Sequence, residues 1–198
     1  MIKSTTWTFK KDEIQSYAWS VNLFSPEELD FIIKKGKSLL PENATVYGNK
    51  GSTKHTEKSV RDSKVSWITP EDDTTFIFQK LVGEINDINE KFFKFNLFGF
   101  LEGLQFTQYD APTGKYGKHV DRGYGMPIRK LSFSLQLSDP EDYNGGDLVI
   151  YNGNKPVKTK RQRGYMLVFP SFSVHEVTKL TKGTRYSLVG WIAGENFK

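Results

Sequence analysis

Two periodicities occupy separate halves of this chain, and their order is what most limits its fold. Up to about residue 95, apolar residues recur at helical spacing in two stretches. Beyond that point come about eight short runs rich in β-branched and aromatic residues, each closed by Gly, Pro, Asp or Asn. A doubly wound βαβ fold would interleave the two patterns. Helices followed by many short strands point instead to an α+β chain with a sandwich or jelly-roll core. The helices are expected to pack on one face of that core.

Ser25-Pro26-Glu27-Glu28 reads as a helix start, with Ser as N-cap, Pro in the first turn and Glu28 three residues after the cap. Leu29, Ile32, Ile33 and Leu39-Leu40 continue it as an apolar stripe. A second helix is expected from Pro70-Glu71-Asp72-Asp73 onward, carrying Phe76, Ile77, Leu81, Ile85, Ile88 and Phe92. Strands are expected over 17–21 and 60–68. Others are expected near 97–109, 115–121, 129–137, 147–151, 155–160, 165–169, 174–178 and 184–193. Residues 41–59 hold little to bury and read as a long loop of the kind that forms lids. No linker divides the chain, so one domain over 1–198 is expected: a helix-rich support over 1–95 and a jelly-roll core over 96–198.

The chain has no cysteine. Disulfides, thiolate metal sites and cysteine nucleophiles are thereby removed. The composition fits a reducing compartment, so a cytoplasmic setting is expected, the host cytoplasm if the chain is viral. No apolar run nears the roughly 18 to 20 residues of a membrane-spanning helix, and no secretory signal is visible at the N-terminus. The net charge of +5 and a pI near 9.2 raise nucleic acid as a partner, but no basic–aromatic platform for bases accompanies them. Lys155, Lys158, Lys160, Arg161 and Arg163 form a basic run, read as a solvated hairpin with an acidic partner as the alternative.

Histidine chemistry must be built from His55, His119 and His175. His55 reads as a solvated loop residue. In His119-Val120-Asp121, residues i and i+2 of a strand share a face, so an imidazole and a carboxylate can meet one ion. His175 lies in a later strand. Two His and one carboxylate make the facial triad of non-haem Fe(II) oxygenases, which leaves metal positions open. Arg185 follows His175 by ten residues and enters an otherwise apolar run, Tyr186-Ser187-Leu188-Val189-Gly190-Trp191-Ile192. A buried arginine needs an anion. That anion is either an internal carboxylate or the carboxylate of a ligand, held bidentately.

With these residues in view, the chain resembles the Fe(II)- and 2-oxoglutarate-dependent dioxygenases, in particular the prolyl 4-hydroxylase-like branch and its compact bacterial or phage members. The resemblance runs through Gln108-Tyr109, Gly114, Tyr116, His119-x-Asp121 and Gly145-Gly146-Asp147-Leu148. It continues through Pro170, His175-Glu176-Val177, Gly183, Arg185 and Trp191. Upstream, Arg61-Asp62-Ser63 followed by Trp67 resembles the strand beside that branch's substrate groove. One departure is visible: collagen-type members carry lysine where Arg185 stands. The substitution keeps the charge and leaves the nearest subfamily open.

The resemblance implies a double-stranded β-helix core, with His119, Asp121 and His175 as iron ligands. It implies that Arg185 and Tyr109 hold the distal carboxylate of 2-oxoglutarate, and that Arg61, Trp67, Tyr116 and Trp191 lie on the substrate side. The expected activity is hydroxylation of a prolyl residue in a peptide or protein, with O2 as oxidant and ascorbate as supporting reductant. Oxygenases of nucleic acids or small molecules, and a non-catalytic cupin-like metal-binding module, are the alternatives. A monomer is expected.

Overall fold

The computed structural model describes residues 15–39, 41–47, 54–55, 57–122, 128–153 and 155–196. The chain opens with β1 (Ala18–Ser20) and α1 (Pro26–Ser38). The Ser25 side chain accepts from the Glu28 N–H while the Glu28 carboxylate accepts from the Ser25 N–H, so the expected capping box forms. Four short strands follow: β2 (Glu42–Asn43), β3 (Val46–Tyr47), β4 (Lys54–His55) and β5 (Arg61–Asp62). Then come β6 (Lys64–Ile68) and α2 (Thr75–Ile88), which runs into a π-helical turn at Asn89–Phe93. The β-rich half supplies β7 (Leu97–Phe100), β8 (Leu104–Asp110), β9 (Lys115–His119), β10 (Arg129–Gln136) and β11 (Tyr143–Gly145). It ends with β12 (Leu148–Tyr151), β13 (Val157–Lys158), β14 (Met166–Pro170), β15 (Val174–Val177) and β16 (Leu180–Gly194).

Two antiparallel sheets dominate. The main sheet runs β1-β14-β10-β16-β8-β6-β2, with β7 and β11 also paired to β16. The minor sheet runs β13-β12-β15-β9-β5. Both helices cover one face of the main sheet, as expected. Leu29 and Ile32 of α1 and Ile77, Leu81 and Ile85 of α2 join Phe106, Leu131, Phe133, Leu135 and Leu188 in one core. Among the described residues, no helix is long and apolar enough to cross a membrane.

The strand pattern places the site. All eight residues of β10 are buried, although Ser132, Ser134 and Gln136 alternate with Leu131, Phe133 and Leu135. An alternating strand ordinarily turns its polar face to water. Here the apolar face meets the helices and the polar face looks into the space between the sheets. β14 divides likewise: Val168 faces the helices, while Leu167 and Phe169 join Tyr109, Tyr143, Ile150 and Leu180 between the sheets. The polar residues of the central strands therefore line an internal lumen.

Several expected boundaries shift. The strand expected over 60–68 is two strands in different sheets, β5 in the minor and β6 in the main, separated only by Ser63. The run near 97–109 is likewise two, β7 and β8. α2 starts at Thr75 rather than at Pro70, because Thr74 Oγ1 bonds the Thr69 carbonyl and the Glu71 N–H and closes a turn there first. Residues 41–59 are not one open loop. β2 adds to the main sheet beside β6, Ala44 is buried, and β3 pairs with β4, which puts His55 opposite Val46. The sheet edge at β6 supplied a partner that apolar content could not reveal. Residues 48–53 and 56 of the expected lid lie outside the described residues.

The basic run is structural where it is described. Lys158 pairs with Asp147, Arg163 pairs with Asp30, and Arg161 donates to the Pro140 carbonyl and stacks on Tyr143.

The pairing of β11 with β16 depends on glycine. Gly183 has φ +74°, and a Cβ there would lie 2.0 Å from the Asp142 carbonyl oxygen. Gly83 in α2 has nothing within 4 Å of an added Cβ. Gly183→Ala is expected to cost at least about 2 kcal/mol, from strain plus a backbone clash. Gly83→Ala is expected to stabilise by up to about 1 kcal/mol, the helix-propensity difference. Urea unfolding of both variants checks the opposite signs.

Candidate metal centre

His119 is the last residue of β9, and His175 is the second residue of β15. The two are paired across the minor sheet. Asp121 departs from the expectation of a continuous strand, because β9 ends at His119 and Asp121 lies in the following bend. Its side chain still converges with the imidazoles because its N–H, with that of Arg122, donates to the Ser171 carbonyl just before β15. One ligand atom from each of His119, Asp121 and His175 lies within 4.8 Å of the others. His119 Nε2 is 3.6 Å from Asp121 Oδ1, and His175 Nε2 is 3.5 Å from Asp121 Oδ2.

The hydrogen bonds behind the rings set their protonation. His119 Nδ1 is 2.8 Å from the Gly117 carbonyl, and His175 Nδ1 is 3.0 Å from the Ser173 carbonyl. A carbonyl only accepts, so each Nδ1 carries the hydrogen. In the neutral ring Nε2 then presents a lone pair toward the carboxylate. Burial, joined by the neighbouring His175, pushes His119 down to about 3. Burial alone would raise the Asp121 carboxyl. The two imidazoles, the Ser132 hydroxyl and the Trp191 indole outweigh it and hold Asp121 below the usual carboxylate range. Three ligand atoms thus converge in one buried place where a cation can sit between them. The donor set, two nitrogens and one carboxylate oxygen, suits a divalent transition metal with open positions.

The same numbers fix a pH dependence for the metal-free protein. The native His119 ring stays neutral down to about 3, whereas the unfolded one binds its proton near 6.5. Between those values the unfolded state holds more protons, so stability falls as pH falls. The urea midpoint is expected to drop below pH ~6.5, and to drop less in His119→Gln. Equal slopes in the two proteins would contradict this.

The rings are packed in a column. Tyr116 stacks on His119 at 3.5 Å, and the Arg61 guanidinium covers Tyr116 at 4.4 Å. His119 meets His175 at 4.1 Å, and Phe169 packs edge-on against His175 at 4.7 Å. Arg61 is held by Ser63 and Gln105. Burial pushes the Tyr116 phenol up to about 12, so it stays protonated. Of the residues expected on the substrate side, Arg61 and Tyr116 thus build the wall behind His119. Trp67 and Trp191 form a separate pair with ring centroids 6.2 Å apart, and Trp67 Nε1 donates to Glu42.

Arg185 sits on β16, the central strand of the main sheet, and is 1% exposed. Its Nε and Nη2 both donate to Gln136 Oε1, at 3.2 and 2.8 Å. Its Nη1 is 3.5 Å from Ser187 Oγ, and its guanidinium lies 5.4 Å from the Tyr109 ring. Among the described residues no carboxylate pairs with it. The internal ion pair is thus excluded there, and a buried cation remains with neutral partners only. Gln136 lies on the same lumen face of β10 as Ser132, which bonds Ser171 beside Asp121. Four residues of strand, about 13 Å, separate the two positions. The lumen therefore has a metal-ligand end and a cationic end.

The sequence reading missed Gln136, Ser187, Ser132, Arg129 and Glu102. For Gln136, Ser187 and Ser132 the signal was the alternation of polar residues along β10 and β16; Arg129 and Glu102, which meet only in the fold, carried none.

Residues 104–193 match the family profile described as the 2OG-Fe(II) oxygenase superfamily. A PKHD-type hydroxylase of Prochlorococcus marinus (strain NATL2A) is 43% identical over 100 residues, covering 50% of this chain and 44% of that protein. One from Nitrosomonas europaea is 40% identical over 87 residues, covering 40% and 38%. The chain thus spans less than half the length of these curated relatives. Among solved structures, a Pseudomonas putida prolyl-4-hydroxylase superposes with TM-score 0.71 at 19% identity, covering 91% of this chain and 94% of that one. A Trichoplax adhaerens prolyl hydroxylase, in complex with a hypoxia inducible factor peptide fragment, superposes with TM-score 0.75 at 19% identity, covering 90% and 84%. The likeness in sequence is thus to the 2OG-Fe(II) oxygenase superfamily, over residues 104–193, a little under half of the chain. The fold is a double-stranded β-helix like that of these prolyl hydroxylase structures.

Proposed function

We propose that this chain is an Fe(II)- and 2-oxoglutarate-dependent hydroxylase acting on a prolyl residue of a peptide or protein. The observation that carries the reading is the buried, carboxylate-free Arg185 in the same lumen as the His119–Asp121–His175 cluster. The two hydroxylase groups named in the comparisons support the reaction class. The prolyl hydroxylase neighbours, one with a peptide, support the substrate class.

His119 Nε2, His175 Nε2 and one Asp121 oxygen would hold the iron, on one side only. Bound there, iron supplies the redox chemistry that couples decarboxylation of 2-oxoglutarate to insertion of an oxygen atom into a C–H bond. The protein's own part is placement and dryness. Arg185, presented by Gln136, binds the distal carboxylate of 2-oxoglutarate through charge-assisted hydrogen bonds. Tyr109 packs beside it as a second donor. Tyr116 and Arg61 hold the His119 ring and close the lumen to water on that side. Substrate enters past Trp67 and Trp191 in this reading. The chain acts as one domain, because its N-terminal half supplies β5 to one sheet and β1, β2 and β6 to the other. A monomeric, cytoplasmic enzyme is part of the same proposal.

The test incubates the protein with Fe(II), 2-oxoglutarate and ascorbate, and follows succinate release. Proline-containing peptides are expected to stimulate it and to gain the mass of one oxygen atom. Methylated DNA and RNA serve as control substrates, and stimulation by them alone would move the activity to nucleic acid. Absence of succinate with every substrate, and in the uncoupled reaction, would leave a non-catalytic metal-binding module.

A further inference from the structure

We propose that Glu102, Arg129 and Trp191 form a positioning relay that fixes the Asp121 carboxylate for metal binding. The inference rests on the metal-site reading above and deepens it. Because Asp121 lies beyond the end of β9, no sheet ladder holds it. Its carbonyl instead accepts from Arg129 Nη1 at 3.1 Å. Arg129 begins β10 and is 7% exposed. Its Nε donates to Glu102 Oε1 at 2.7 Å, and its Nη2 donates to Glu102 Oε2. The flat face of the same guanidinium lies 3.8 Å from the Trp191 ring centroid. One arginine thus grips the Asp121 backbone, is itself gripped on two bonds by Glu102, and fixes the plane of the indole.

The indole is the informative member. Trp191 Nε1 is buried and makes no hydrogen bond. It pairs across the ladder with Ser132, whose hydroxyl bonds Ser171 Oγ directly behind Asp121. Its N–H lies near the Asp121 carboxyl without reaching hydrogen-bond geometry. A buried N–H left without an acceptor costs about 1–3 kcal/mol. A group that served packing alone would be better placed as an apolar ring of the same shape. A ligating carboxylate uses one oxygen on the metal and needs donors for the other. The Trp191 N–H is, with the Ser132 hydroxyl, a donor near that oxygen, and the Arg129–Glu102 pair fixes the indole that carries it.

The test is titration of the full-length metal-free protein with Mn2+, followed by calorimetry and by the electron paramagnetic resonance signal of free Mn2+. Trp191→Phe keeps an aromatic ring at this position, removes the N–H and also shrinks the side chain. It is expected to weaken Mn2+ about 10-fold, the lower end of the effect of outer partners on metal ligands. The smaller ring leaves space beside Arg129 and Trp67, so the metal-free melting temperature is expected to fall, and Mn2+ affinity is read on protein that remains folded. Arg129→Lys and Glu102→Gln are expected to weaken Mn2+ by similar factors. Glu102→Gln combined with Trp191→Phe should fall short of the product of the single effects, since both act through one carboxylate. Trp191→Phe binding Mn2+ as tightly as the unaltered protein would overturn the relay and leave the metal site standing. Failure of the unaltered protein to bind Mn2+ would overturn both.

Discussion

Asp121→Ala is expected to abolish measurable metal binding at the His119–His175 pair, and turnover with it. Asp121 is the one carboxylate in the cluster, and its charge is what balances a divalent cation held with the two imidazoles. Substituting outer partners of metal ligands costs 10- to 100-fold, so removing the charged ligand itself should cost at least about 100-fold. Folding should survive. The carboxylate is a buried charge with the two imidazole nitrogens at 3.5 and 3.6 Å and with the Ser132 hydroxyl and the Trp191 indole beside it. Replacing such a charge by a neutral group is often neutral or stabilising. The measurement is Mn2+ calorimetry beside a thermal melt of the metal-free protein. Retained Mn2+ affinity in Asp121→Ala would dismiss the assignment of all three ligands.

Arg185→Ala should remove 2-oxoglutarate binding while leaving metal binding intact. Two charge-assisted hydrogen bonds to a carboxylate contribute about 1.5–3 kcal/mol each, which corresponds to a loss of at least about 100-fold. The variant also strips Gln136 Oε1 of both its donors, so a stability loss of about 1–3 kcal/mol accompanies it. Arg185→Lys separates the two effects. It keeps the charge but cannot serve Gln136 and a ligand carboxylate with the same planar fork. Its affinity should fall between those of the parent and the alanine variant. Calorimetry with 2-oxoglutarate on Mn2+-loaded protein reads all three, and unchanged affinity in Arg185→Ala would withdraw the anionic ligand from the lumen.

Much of the fold was legible because the two periodicities do not mix along the chain. The capping box at Ser25 and Glu28 and the stripe from Leu29 to Ile32 needed no tertiary information. What could not be read locally was pairing. β2 exists only because β6 offers it an edge, and residues 60–68 carry no mark at Ser63 showing that the chain changes sheets there. The metal cluster was legible because histidine is scarce and cysteine absent, which left few ways to build a ligand set. Its supports were harder to see. Arg129 and Glu102 are ordinary charged residues 27 apart in sequence that meet only in the folded chain. Gln136 looked like the wet side of an amphipathic strand, because alternation reports a difference between faces and not which of them water reaches.

The passage through Ser63 carries a mechanical consequence. β5 and β6 are one covalent seam joining the minor sheet to the main one, with the Ser63 carbonyl further tied to the Ala44 N–H. Prising the sandwich apart on that side would strip two ladders at once. Each sheet's opposite margin ends in a strand with a single partner, β1 on β14 and β13 on β12. The chain crosses between the sheets again by short links from β8 to β9, β14 to β15 and β15 to β16, so the sandwich is laced at several points and the lumen is held open to a fixed width.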